Sequence, residues 1–257
     1  MLRSITAACL AAFVGFAAHA EPLRVVTAAS SSPFSRGADL DLPGFAHEYV
    51  ELMAAHAGIE VSVEYFPWKR AQKMAQEDSD GIMIFNLTRT EAREPVYDWV
   101  TRLLTVDWTF LTTDEAVNDL DAAQGLERIG SRSVYKRYLE GEGLQNVEES
   151  DTLNNFKKLK AGRVSAVFTN SQRGRFIWVE ELGQDPADLH IGSSLRQGDI
   201  WLGATPGYDA EIIQKFEAAN QALQADGTYA KLYAKYFGDL EVVPPARPDQ
   251  KPTGTGS

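Results

Sequence analysis

Short apolar runs alternate with stretches whose apolar residues recur at helical spacing, and this alternation restricts the fold more than any other feature. LRVVTAA (residues 23–29) reads as a strand followed by a Ser-rich turn. GFAHEYVELMAAHAG sets Phe45, Tyr49, Leu52 and Met53 on one helical face, with Gly58 placed to stop it. IEVSVEYF (residues 59–66) alternates as a second strand. Pro67 takes the first position of a short helix, and residues 82–85 form a third strand opened by the turn-forming Asp80-Gly81. Strand–helix–strand–helix–strand predicts a right-handed parallel sheet with helices on both faces.

A similar series follows TFLTTDEAVNDL. Residues 129–138 read as a short strand turning into a helix, and DTLNNFKKLKAG carries Leu153, Phe156 and Leu159 on one face up to Gly162. RVSAVFTN is a buried strand, SQRGRFIWVEELG a helix and DIWLGAT (199–205) a strand leading back. An amphipathic helix over 210–225 and the helical DGTYAKLYAKYFG close the fold. The chain therefore reads as α/β with two lobes and a cleft between them. In open parallel sheets ligands bind beyond the carboxyl ends of the strands, where Asn86, Thr88, Thr169 and Asn170 fall.

Ile5 to Ala18 is almost wholly apolar or small, follows a single positive Arg3, and ends in Ala18-His19-Ala20. That pattern predicts a secretory signal peptide over 1–20, cleaved after Ala20, and a periplasmic mature protein; the run is too short for a membrane span. Thr6-Ala7-Ala8-Cys9 faintly resembles a lipoprotein processing site but precedes a full apolar stretch. Cys9 is the only cysteine, so the mature chain would have no disulfide or thiolate chemistry. Losing Arg3 takes Lys+Arg from 25 to 24 against 36 Asp+Glu, moving the net charge from −11 to −12. Such acidity argues against nucleic acid or anionic lipid as partners. Residues 242–257, VVPPARPDQKPTGTGS, read as a disordered Pro/Gly-rich tail.

In DGIMIFNLTRTEAREPVYDW, Pro95 limits any helix to about one turn. Arg93 then sits in a first helical turn, against the local dipole. Two roles fit it: gripping an anionic ligand that offsets this placement, or pairing on the surface with Glu91, Glu94 or Asp98.

With these motifs in order, including LPGFAHEYVELMAAHAGIEVSVEYFPWKRA, LKAGRVSAVFTN and LQADGTYAKLYAKYFG, the chain resembles the bacterial extracellular solute-binding proteins of family 3. These are the periplasmic components of polar amino-acid-type ABC importers. The resemblance implies a type II periplasmic binding protein fold, with a mostly parallel sheet in each lobe and a two-strand hinge near residues 109–113 and 202–205. It implies lobe 1 over 21–111 and 204–241, lobe 2 over 112–203, and a monomer that closes over a small polar solute and presents it to an inner-membrane permease. It further implies that Arg93 grips an α-carboxylate, helped by Thr88, and that Trp68 stacks on the ligand. For Trp68 a core position is equally compatible. Ser133 falls on the family's second-lobe serine, while Arg132 replaces its glycine and either faces the cleft or is solvated. The acidic side chains that hold an amine in amino-acid-binding relatives correspond here to Ala28 and Asn170. A carboxylate solute stays plausible on that pattern, an α-amino acid less so; Asp199 or Glu64 are the available substitutes.

No Walker A, H-E-x-x-H or G-x-S-x-G pattern occurs, and the four histidines are scattered, so neither a cofactor nor a metal is expected. The sequence thus reads as a non-enzymatic receptor that delivers an amino acid or related organic acid to an ABC importer. Two alternatives use the same scaffold. One is a cyclohexadienyl dehydratase-like enzyme with Asp199 or Glu64 as acid or base, and the other a receptor reporting to a signalling partner.

Overall fold

A computed structural model describes residues 21–29, 31–78 and 80–243; the expected signal peptide and most of the expected tail lie outside them. Among the described residues nine strands form one sheet: β1 (Leu23–Thr27), β2 (Val61–Tyr65), β3 (Met83–Thr88), β4 (Asp98–Thr112), β5 (Ile129–Ser131), β6 (Val147–Glu149), β7 (Ala166–Asn170), β8 (His190–Ile191) and β9 (Arg196–Ala204). The order is β2-β1-β3-β9-β4-β7-β5-β6, with β8 on β4. Strands β1, β2 and β3 pair in parallel, as do β5, β6 and β7. Helices α1 (Phe45–His56), α2 (Trp68–Glu77), α3 (Leu120–Gln124), α4 (Ser133–Gly141), α5 (Thr152–Lys160), α6 (Ser171–Phe176), α7 (Ala210–Ala225) and α8 (Thr228–Phe237) cover the faces. This is the two-lobed α/β architecture of type II periplasmic binding proteins.

The hinge lies elsewhere than expected. β4 pairs with β9 from Asp98↔Ala204 to Trp108↔Arg196. Residues 109–111 already pair with β7, and 202–204 pair with β3, so each belongs to a lobe. Among the described residues, only in the pairs joining Thr105–Asp107 to Gln197–Asp199 does neither strand have a further partner, and these pairs form the bridge. Sequence periodicity missed most of β4 because Thr101, Arg102, Thr105 and Asp107 interrupt its apolar residues. A bridging ribbon buries neither face uniformly, so it shows no regular pattern.

In the first lobe, successive residues of the central strands serve opposite cores. Val25, Met83 and Phe85 face the cluster built on α1, α7 and α8, where Phe45 packs on Tyr49, Tyr229, Tyr233, Tyr236 and Phe237. Val26, Ile82 and Ile84 face α2 through Ala71 and Ala75. Simple alternation would send Leu87 the same way as Phe85. It joins the α2 cluster instead, because a bulge at Asn86 shifts the register between Phe85 and Leu87. Asn86 has φ 68°, uncommon for a non-glycine residue. β3 accordingly runs three residues beyond the expected strand, taking Asn86 and Thr88 within it.

In the second lobe, Ile129, Phe110 and Phe168 face α4, while Leu111, Val167 and Phe156 form the opposite core with Trp178. Pro95 sits inside a 3-10 helix over Glu91–Val96, slightly longer than the single turn expected.

Candidate functional site

Where the lobes meet, a cavity of about 510 Å³ is floored by the bridging ribbon, with Val106, Gly198 and Ile200 at its base. The first lobe contributes Ser31, Phe34, Asn86, Thr88 and Arg93; the second contributes Val134, Tyr135, Arg137, Asn170 and Arg173, with Trp108 beside them. Its size suits a small molecule.

The bulge brings Asn86 to the wall. Its amide donates to the hydroxyls of Ser35 at 2.7 Å and Thr27 at 3.3 Å. Its buried Oδ1 accepts nothing. A residue held at positive φ with an idle acceptor is the kind of local strain found at ligand sites.

Arg93 donates through Nη1 to the Thr88 carbonyl at 2.9 Å and through Nη2 to Gln72 Oε1 at 3.1 Å. Both acceptors are neutral, and among the described residues no carboxylate lies within salt-bridge distance. Burial holds its pKa below the ordinary arginine value. Of the acids that could have paired with it, Glu94 takes Arg89 bidentately at 2.7 and 3.0 Å, and Asp98 accepts the amides of Gly207 and Tyr208.

On the opposite wall, the Asn170 side chain caps α6 by accepting the Arg173 amide at 2.8 Å and donates to the Tyr135 hydroxyl at 3.2 Å. The Arg173 guanidinium then faces the cavity beneath Phe34, 5.6 Å from the ring centroid. It makes no hydrogen bond to any described residue, and its Nε is buried without a partner among them. Burial is the main reason its pKa falls below the ordinary value, with Arg132 adding to the fall and Tyr135 and Glu181 opposing it.

A family model for bacterial extracellular solute-binding proteins, family 3, matches residues 23–239. The chain belongs to that family. This solute-binding protein is 22% identical over 215 residues to the L-cystine-binding protein TcyJ of Escherichia coli, covering 80% of this chain and 79% of TcyJ. Substrate-binding domain 2 of Lactococcus lactis GlnP, in its open conformation, shares the fold with a TM-score of 0.72 at 18% identity, covering 86% of this chain and 97% of that domain. A histidine kinase sensor domain similar to periplasmic binding proteins has a TM-score of 0.63 at 18% identity, over 86% of this chain and 98% of that domain.

Of the seven side chains singled out from sequence, Arg93, Thr88, Asn86 and Asn170 line the cavity of this family 3 protein. Trp68 does not: it packs on the α2 cluster beside Phe66, Met74 and Trp99. Ser133 is exposed at the start of α4, and its neighbour Val134 reaches the cavity instead. Thr169 is buried opposite Thr109 in the sheet. The candidate acids face elsewhere as well. Glu64 pairs with Arg24 at 2.8 Å. Asp199 accepts from Thr105 at 2.6 Å and lies 3.8 Å from Arg102, pointing away from the face that Gly198 and Ile200 present. Arg173 and Arg137 went unnoticed in the sequence. The available signal was an N-cap asparagine at a strand end, which places the residue three positions on, Arg173, in the same first turn. Among the described residues no cluster of His, Cys, Asp and Glu is placed to hold a metal.

Proposed function

We propose that this protein is a periplasmic receptor that captures a small carboxylate-bearing solute between its lobes and hands it to the permease of an ABC importer. One observation carries the reading: the Arg93 guanidinium faces the interlobe cavity with only neutral partners and no acid to neutralise it. A guanidinium presents a planar fork to a carboxylate, and each charge-assisted hydrogen bond contributes about 1.5–3 kcal/mol. Thr88 and Asn86 add neutral hydrogen-bonding groups on the same wall, while Asn170 faces them from the second lobe. A solute touching both walls stabilises the closed arrangement through its contacts to each, and the bridge at 105–107 and 197–199 supplies the flexure. The apolar segment before Ala20 supports export followed by cleavage there.

Thermal-shift measurement tests this reading. A carboxylate solute is expected to raise Tm in the wild type and to leave the Arg93→Ala melt unmoved. Ligand-free Arg93→Ala should unfold within about 4 °C of wild type. Two hydrogen bonds to neutral acceptors are lost, but so is the cost of burying the charge. An equal loss of ligand-free stability and of binding makes Arg93 structural and defeats the proposal. The fold shared with a kinase sensor domain supports a second reading, in which the same capture is reported to a signalling partner. Uptake of labelled solute by cells lacking this protein separates the two: unimpaired uptake favours signalling.

A further inference from the structure

The cavity carries a charge opposite to that of the protein as a whole. The chain has a net charge of −11, yet among the described residues Arg93, Arg137 and Arg173 line the cavity and no Asp or Glu does. None of the three pairs with a described carboxylate. Arg173 carries this imbalance furthest: its guanidinium donates no hydrogen bond to any described residue, and its Nε is sealed from solvent. An unpaired buried guanidinium is costly, and it persists where a ligand supplies the missing counter-charge.

The nearby acids are engaged elsewhere. Asp199 serves Thr105 and Arg102 on the other face of the ribbon, Asp107 accepts from Ser171, and Glu181 accepts the Ser32 hydroxyl at 2.8 Å. For an ammonium the cavity offers only neutral oxygens. Asn170 Oδ1 already accepts the Arg173 amide, and the idle Asn86 Oδ1 is a single uncharged acceptor suited to a hydroxyl.

We propose that the bound solute is a small organic dianion without an ammonium group, with one anionic end on Arg93 and the other on Arg173. This rests on the capture of a carboxylate by Arg93 proposed above and adds a second, oppositely placed anchor. Phe34 and Trp108 line the space with apolar surface for a short hydrocarbon between the ends. Each lobe then contributes one of the two anchors, so a dianion links them across the cavity, whereas a monoanion satisfies one anchor and leaves the other unpaired.

Titration calorimetry on the full mature chain, refolded from denaturant to strip carried-over solute, tests this at fixed ionic strength. The probes are succinate, glutarate and adipate, their monocarboxylate counterparts butyrate, valerate and hexanoate, phosphonoacetate as the non-dicarboxylate dianion, and L-glutamine and L-arginine. At least one dianion is expected to bind about a hundredfold tighter than the monocarboxylate or the amino acids, the factor that one charge-assisted contact provides. Preference for phosphonoacetate over every dicarboxylate keeps the dianion and assigns one end as a phosphonate-like group. Arg173→Gln should weaken the dianion about a hundredfold while changing monocarboxylate binding less than threefold. Tight binding of an amino acid or monocarboxylate, with dianions no better, overturns the dianion and leaves the Arg93 reading standing. Failure of every probe overturns both. The wild-type comparison decides the matter even if Arg173→Gln does not fold.

Discussion

Gly44 ties the cavity wall to the first-lobe core, and replacing it with alanine separates steric from conformational cost. The residue precedes α1 with φ 132° and ψ 145°, a region that side chains with a Cβ rarely enter. A Cβ there would lie 2.5 Å from the Phe34 carbonyl oxygen and 2.6 Å from Ser35 Cα, both backbone atoms. These atoms cannot step aside, because the Phe45 and Ala46 amides bond the carbonyls of Pro33 and Phe34 at 2.9 and 3.0 Å. Gly58, just past the other end of α1, is the control: its φ is 68°, and a Cβ there meets nothing within 4 Å. Gly58→Ala should cost only the left-handed backbone penalty, about 1–2 kcal/mol. Gly44→Ala adds overlap worth about 1–3 kcal/mol, for a total of about 2–5 kcal/mol. At about 2–4 °C per kcal/mol, Gly44→Ala should lower Tm by roughly 4–20 °C and Gly58→Ala by roughly 2–8 °C. Circular-dichroism melts of the two variants, recorded side by side, check the difference. Because Phe34 and Ser31 line the cavity from the loop that must move, Gly44→Ala should also weaken solute binding more than Gly58→Ala does. Equal melting temperatures for the two variants would refute the reasoning.

Asn220 is buried between α7 and β4, where it donates to Thr101 Oγ1 at 2.7 Å and the Arg102 carbonyl at 3.1 Å and accepts from the Tyr49 hydroxyl. Asn220→Ala strands these groups and should cost about 2–3 kcal/mol in urea unfolding, whereas an exposed alanine substitution on α7 should cost under about 1 kcal/mol. Burial pushes Tyr65 and Tyr233 up to about 12 and shifts Tyr49, Tyr229 and Tyr236 in the same direction. The unfolded chain ionises these phenols near 10, so their stabilising contribution is complete below that pH and falls as pH rises from 10 towards 12. Alkaline titration should therefore show tyrosinate absorbance appearing together with loss of helical signal, and phenol ionisation in a chain that stays folded would contradict it. Asp151 caps α5 by accepting the Asn154 amide at 2.9 Å, a bond that lowers its pKa. Asp151→Ala should cost about 1 kcal/mol at neutral pH, and the deficit should vanish as acid protonates the wild-type cap through that depressed value.

Local periodicity was enough to identify α1, β2, α5, α7 and α8, because each sets its apolar residues on one regular face, and β1 was legible as an unbroken apolar run buried on both faces. The same method lost most of β4, whose partners change along its length: β9 with β3 beyond it, then β9 alone, then β7 and β8. The family resemblance placed the hinge near residues 109–113 and 202–205, although the hinge is defined by pairing across about ninety residues of sequence, as in Thr105↔Asp199. The site divides in the same way. That Asn86, Thr88, Arg93 and Asn170 would line the cavity was legible because strand ends and their following turns are local features. Trp68 was ambiguous at the sequence level, since an aromatic at a helix start suits either a ligand wall or the core that the structure assigns it to. What no local pattern contains is which acids are already spent. Glu64 is neutralised by Arg24, forty positions away in sequence, and Asp199 by Thr105 and Arg102 on the neighbouring strand. Sequence alone therefore leaves both acids available to an amine, and only the folded arrangement removes them from the cavity. Once they are removed, Arg93 and Arg173 become charges in search of a partner. On the proposed reading, the specificity of the cavity is set as much by acids turned away from it as by the cations turned towards it.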